Sequence, residues 1–165
     1  MNVRRAVAAD REIARAIVDE YADQIGVIVR DDDAAFDSYF APRAGIWLAQ
    51  DERGVAGCVA LRPLKSAAAD AAEVKRLYVR SARRRSGIAS ALMDALERAA
   101  FADGYSTLYL DSHDGLAAAL QFYRARGYTP VPRYNDNAQA TVFLALSLAP
   151  SQPDGLDDED VRPAL

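Results

Sequence analysis

The sequence predicts one α/β domain built in three layers, with a mixed β-sheet held between helices. Three observations predict it. Strand-like and helical segments follow one another in the order β, α, α, β, β, β, α, β, α, β, β. The 165 residues are 51% hydrophobic and 27% charged, which suits a soluble domain with a sizeable core. No internal repeat or linker divides the chain, so residues 1–149 are expected to form the domain. Residues 150–165 read as an acidic, disordered tail, with Asp154, Asp157, Asp158, Glu159 and Asp160 against Arg162.

Each element has its own signal. Asn2–Val7 has strand composition. From Asp10, Ile13, Ile17, Tyr21 and Ile25 recur every four residues beside Ala14 and Val18, and Gly26 stands where a helix cap belongs. "DDDAAFDSYF" (31–40) reads as a short acidic helix stopped by Pro42. "GIWLAQ" (45–50) and "VAGCVALRPL" (55–64) flank "DERG", a hairpin signal with glycine last. "SAAAD" (66–70) is a loop of small residues. "EVKRLYV" (73–79) is strand-like, yet it carries charges on both faces. Ser86–Ala100 is helical, with Ile88, Leu92, Ala95, Leu96 and Ala99 in one apolar stripe opposite Ser90, Asp94 and Arg98. "YSTLYLD" (105–111) is a β-run, Leu116–Arg126 is a helix capped by Gly127, and Tyr128–Val131 and Thr141–Leu148 are the last two strands.

Composition narrows the function classes. The apolar runs are too short to span a bilayer, and the N-terminus has no continuous apolar stretch. A single cysteine, Cys58, rules out an internal disulfide and fits a reducing compartment, so a cytoplasmic protein is expected. Cys58 lies in an apolar run and reads as a buried small hydrophobe. No His/Cys cluster has metal-ligand spacing, so no metal is expected.

The stretch that carries chemistry is "RRRSGIA" (83–89). Gly87 near a helix start costs about 1 kcal/mol against alanine, so a local reason is expected. Helix initiation with Ser86 as N-cap is one. The other is a phosphate: without a side chain at Gly87, an anion can approach the free amides of the first helical turn. Ala89 and Ser90 keep that turn open, and Arg83, Arg84 and Arg85 add positive charge. The glycines of a dinucleotide fingerprint and the lysine of a Walker loop are absent.

"EVKRLYVRSARRRSGIASALMDAL" resembles the cofactor segment of the GNAT superfamily of acetyl-coenzyme A-dependent N-acetyltransferases. Arg84-x-x-Gly87-x-Ala89 matches its Q/R-x-x-G-x-G/A signature, and "AALQFYRARGY" (118–128) is similar to its A-x-x-F-Y-x-x-x-G-F segment about 30 residues on. "LYLDS" and "YTPVPRYNDN" are similar to an uncharacterised bacterial subgroup. The resemblance covers about residues 2–148 and implies a αβα fold around a central, twisted, mostly antiparallel sheet.

The resemblance also implies roles. Acetyl-coenzyme A would be the cosubstrate. Backbone groups of Leu77 and Val79, beside Tyr78, would pair with the pantetheine arm, and the Leu77 N–H would meet the thioester oxygen. The amides of Arg85, Ser86, Gly87, Ile88, Ala89 and Ser90, with the Arg84 side chain, would hold the pyrophosphate. Tyr123 aligns with a tyrosine that protonates the departing thiolate. Glu73, eleven residues before Arg84, stands where several members carry the base that takes the amine's proton, usually through water. The reaction would be direct transfer to a small-molecule or peptide amine, and a homodimer is the assembly common in the family. Departures are also present: Leu116 replaces a frequent asparagine, "LDSHD" introduces His113, and "YNDNA" (134–138) differs from the subgroup's version.

Two other classes compete. Leu116 leaves room for a non-catalytic acyl-coenzyme A-binding regulator. The bases Lys75, Arg76, Arg80 and Arg83–85 invite a nucleic-acid reading, but no recognition motif accompanies them, so no nucleic-acid partner is expected. The resemblance implies that the elements carrying Glu20, Asp23, Asp31, Asp32, Asp33 and Asp37 border the acceptor entrance, where they would attract a cation; the other reading is an exposed acidic helix end.

Overall fold

In the computed structural model, residues 1–65 and 70–148 are described. Most of the small-residue loop and the acidic tail expected from the sequence lie outside them. The elements are β1 (Asn2–Arg5), α1 (Arg11–Ile25), α2 (Asp33–Asp37), β2 (Gly45–Asp51), β3 (Gly54–Pro63), β4 (Ala71–Val79), α3 (Ile88–Ala102), β5 (Thr107–Ser112), α4 (Ala117–Ala125), β6 (Thr129–Pro130) and β7 (Val142–Ser147). Their order is the one the periodicity predicts, and the helix and strand ends shift by a few residues.

The seven strands form one sheet in the order β1-β2-β3-β4-β5-β7-β6. Every pairing is antiparallel except β4 with β5. This is the mixed, mostly antiparallel sheet expected. Each face buries its own core. On one side α1 and α2 contribute Ala14, Ile17, Val18 and Phe36, packed on Ile46, Leu48, Cys58 and Ala60. On the other, Ile88, Leu92, Met93 and Leu96 of α3 and Leu120 of α4 pack on Trp47, Val59, Leu61 and Leu108. Burial on both faces makes the central strands near-continuous apolar runs.

The buried stripe of α1 departs from the four-residue spacing. Ala14, Ile17, Val18 and Ala22 are buried, whereas Ile13 is 45% exposed. A 3.6-residue turn drifts away from a strict repeat of four, so the stripe leaves Ile13 outside. Gly26 ends the helix at φ +74, its N–H bonding to Ala22 O.

Asp10 ties α1 to the sheet edge. Its carboxylate accepts from Arg4 Nη1 (2.6 Å) and Nη2 (2.8 Å) and from the Val7 N–H (2.8 Å). The Arg4 bonds first, then the Val7 amide, lower its pKa from 3.8 to about 2. A depressed folded-state pKa stabilises the fold above the unfolded value, and that contribution fades as pH falls through the folded one. Asp10→Asn is therefore expected to be less stable than wild type at pH 6, with the gap closing between about pH 4 and pH 2. Urea midpoints across that range check it.

Candidate active site

The cleft originates in β4. Its register against β3 slips between Cys58 and Ala60, because β4 carries one extra residue there. Arg76 takes the left-handed conformation at φ +58, the mark of a bulge. The bulge flips the faces: Ala72 and Val74 face the α3 side before it, and Leu77 and Val79 do so after it. A one-residue slip exchanges every later side chain between faces. That accounts for the charges on both faces of "EVKRLYV".

β4 and β5 pair only over Ala71–Glu73 against Thr107–Tyr109. Beyond that point the strands part. The gap between them is a cleft of about 1260 Å³ lined by Val74–Val79, by Leu110, Asp111 and Ser112, and by Tyr123 of α4. Along its β4 wall, Leu77 and Val79 present an edge that β5 does not cover. The Val79 carbonyl accepts from Arg84 Nε at 3.0 Å.

At one end of the cleft lies the start of α3. Arg85 and Gly87 are both left-handed, at φ +59 and +78, and flank Ser86. The first helical bond runs from Ala91 N to Gly87 O, so the amides of Ile88, Ala89 and Ser90 have no intrahelical acceptor. Gly87 is the N-cap. Ser86 is not, since its hydroxyl donates to Arg83 O at 2.6 Å. Among the nearby bases, Arg80 pairs with Glu20, Arg76 with Asp31, and Arg83 with Asp51. Arg84 and Arg85 are exposed and have no acidic partner among the described residues. Uncompensated positive charge thus collects where the bare amides are, a suitable cradle for an anion.

Tyr123 lines the same cleft from α4. Its ring is fixed edge-on between Phe122 and Tyr128, each at 5.7 Å. Burial, then the nearby charges of Tyr21 and Asp111, push its pKa above the ordinary tyrosine value, so the hydroxyl keeps its proton.

Glu73 is placed differently from the sequence expectation. It is 2% exposed and does not line the cleft. Its Oε1 accepts from Tyr134 Oη (3.0 Å), Asn135 Nδ2 (3.1 Å) and Lys75 Nζ (3.3 Å), and its Oε2 from Arg62 Nε (3.0 Å). Those donors fill about as many lone pairs as a carboxylate has. Asp111, by contrast, does line the cleft, and it pairs with Lys75 and with Asn135 and Asn137.

The comparisons are consistent with this geometry. A profile of the acetyltransferase (GNAT) family matches residues 12–128. The chain belongs to the GNAT acetyltransferase family. A curated relative, an uncharacterised N-acetyltransferase of Schizosaccharomyces pombe, is 30% identical over 148 residues, 85% of this chain and 90% of that protein. A GNAT-family acetyltransferase structure from Staphylococcus aureus superposes with a TM-score of 0.75 at 18% identity, over 90% of this chain and 99% of that one. An aminoglycoside 6'-N-acetyltransferase complexed with coenzyme A gives 0.71 at 20% identity, over 93% and 100%. At these identities the two structures speak for the fold.

In this GNAT chain most of the acids expected at the acceptor entrance are engaged. Glu20, Asp23 and Asp31 pair with Arg80, Arg30 and Arg76, and Asp33 and Asp37 with Arg11. Asp32 caps α2 and lines the cleft. His113 also lines it, with Nδ1 accepting from the Gly115 N–H at 3.1 Å. Cys58 is buried, and burial raises its pKa to about 12. Among the described residues no group of His, Cys, Asp and Glu is placed to hold a metal, and no helix is long and apolar enough to cross a membrane.

Sequence reasoning missed Asp111 and Arg62 as cleft residues and took Lys75 only as one of a basic cluster. The signal available for them was the pair of departures "LDSHD" and "YNDNA", which the fold brings face to face.

Proposed function

We propose that the protein is an N-acetyltransferase that moves an acetyl group from acetyl-coenzyme A to a primary amine by direct attack in a ternary complex. The carrying observation is one continuous slot. The uncovered β4 edge runs from the parting of β4 and β5 straight to the bare amides at the start of α3. An extended pantetheine arm suits the first part and a pyrophosphate the second.

Within that reading, the amides of residues 85–90 and the Arg84 and Arg85 side chains hold the pyrophosphate. Leu77 and Val79 pair with the arm. The Leu77 N–H stabilises the oxygen that gains charge as the amine nitrogen bonds to the acetyl carbon. As the carbon–sulfur bond breaks, Tyr123 donates its proton to the thiolate sulfur. Glu73, with its oxygens occupied, acts through its partners by fixing Lys75 and Asn135. An acceptor bound as an ammonium gives one proton to water in the cleft before the attack, which frees the lone pair; the new nitrogen–carbon adduct gives water a second proton, and water returns one to Tyr123.

Calorimetric titration with acetyl-coenzyme A, followed by thiol release over a panel of primary amines, tests the reading. Coenzyme binding with thiol release supports it. Binding with no thiol release from any amine favours the regulator, and no binding removes both.

A further inference from the structure

Resting on the acetyl-transfer reading, we propose that Asp111 selects the acceptor: its carboxylate receives the ammonium of a cationic amine, and the site excludes amines that carry a neighbouring carboxylate. Asp111 lies at the end of β5 on the wall opposite the β4 edge, and its side chain is 9% exposed. Oδ2 accepts from Asn135 Nδ2 at 2.7 Å and Asn137 Nδ2 at 3.1 Å. Among the described residues, Oδ1 accepts only from Lys75 Nζ, at 3.3 Å. An ionised carboxylate has about four acceptor positions, so Oδ1 keeps one for a ligand donor. Burial opposes the charge, but Lys75 and the Asn135 and Asn137 bonds outweigh it and hold the carboxyl below its usual range. The group is therefore an anion at neutral pH, suited to capture rather than to proton abstraction.

The surrounding charges set the class of acceptor. Each cation lining this part of the cleft already has an acidic partner. Arg30 pairs with Asp23, Arg62 with Glu73, Lys75 with both Glu73 and Asp111, and Arg76 with Asp31. A ligand carboxylate would have to break one of these pairs. Asp32 and Asp136 line the cleft with no cationic partner among the described residues, so the balance is negative. Tyr21, Ile25, Val27 and Val29 add an apolar wall from α1 and the segment after it. A primary amine on an apolar body fits both features. Asp111 also bears on the reaction centre, since its charge is felt at the Tyr21 and Tyr123 hydroxyls.

The test compares phenethylamine with phenylalanine, which differ only by the carboxylate, on full-length protein saturated with coenzyme A. Calorimetry on wild type is expected to show phenethylamine bound at least about 10-fold more tightly. In Asp111→Asn its affinity is expected to fall about 10- to 100-fold, as for a lost hydrogen bond to a charged group, with coenzyme A affinity unchanged. Asp111→Glu, which keeps the charge, is expected to recover part of the loss. In turnover, Asp111→Asn should raise KM for the amine more than it lowers kcat. Equal affinity for the two ligands in wild type overturns the assignment without any variant. Undiminished phenethylamine binding in a folded Asp111→Asn overturns it as well. Amine binding that depends on Asp111 without thiol release supports this assignment and counts against acetyl transfer.

Discussion

Gly87→Glu is expected to weaken coenzyme A binding by at least about 100-fold while leaving the fold intact. Gly87 sits at φ +78, and a Cβ built there meets no atom within 4 Å. The fold therefore meets backbone strain and no clash, about 1–2 kcal/mol for an L-residue in the left-handed region. A carboxylate at a helix N-terminus returns about 0.3–1 kcal/mol through the dipole. The buried stripe of α3, Ile88, Leu92, Met93 and Leu96, is untouched. Binding fares otherwise. The new carboxylate folds onto the amides of Ile88–Ser90 and neutralises part of the Arg84 and Arg85 charge, so a pyrophosphate loses its donors and meets repulsion. Each lost hydrogen bond to a charged group is worth about 1.5–3 kcal/mol, and 1.4 kcal/mol is a factor of ten. Gly87→Ala separates the causes, since it adds the strain and no charge. Calorimetric titration with coenzyme A and thermal melts of both variants check this. If Gly87→Glu binds as tightly as Gly87→Ala, the pyrophosphate is held elsewhere.

The phosphate end was legible because its determinants are local. Gly87, the small residues after it and the arginines before it are neighbours in sequence, and the helix that orients their amides is read from its own apolar stripe. The element order was legible for the same reason. The acceptor end was not. Whether Glu73 faces the cleft depends on Tyr134 and Asn135, 61 and 62 positions away. Those partners arrive through a sheet order that places β7 between β5 and β6, which no local periodicity encodes. Spacing before Arg84 puts Glu73 on β4 but says nothing about how many donors close over it. The bulge at Arg76 was visible only as a puzzle, charges on both faces of one strand, because period-2 reading assumes an uninterrupted pleat. In the sequence Asp111 is only the last residue of a β-run, and its surroundings arise when the "YNDNA" segment folds over it.

Tyr123→Phe is expected to lower kcat about 100-fold with little change in coenzyme A affinity. The ring is what the fold uses: it packs edge-on with Phe122 and Tyr128, and phenylalanine keeps both contacts. Tyr123 lines the cleft and its hydroxyl has no hydrogen-bond partner among the described residues, so its removal leaves no protein group unpaired. A positioned general acid contributes about 10²–10⁴-fold. The lower end applies here, because a thiol with a pKa near 8.5 leaves as a thiolate with modest help. The raised pKa of Tyr123 gives the effect a signature in pH. A donor that stays protonated above the ordinary tyrosine range produces no loss of rate from its own titration up to about pH 10. Wild-type kcat should thus hold level on its alkaline side, and Tyr123→Phe should lower the profile without shifting it. Steady-state thiol release at saturating coenzyme from pH 6 to 10 measures both. A kcat that matches wild type would reduce Tyr123 to a packing residue between α4 and the cleft, and the departing sulfur would take its proton from water.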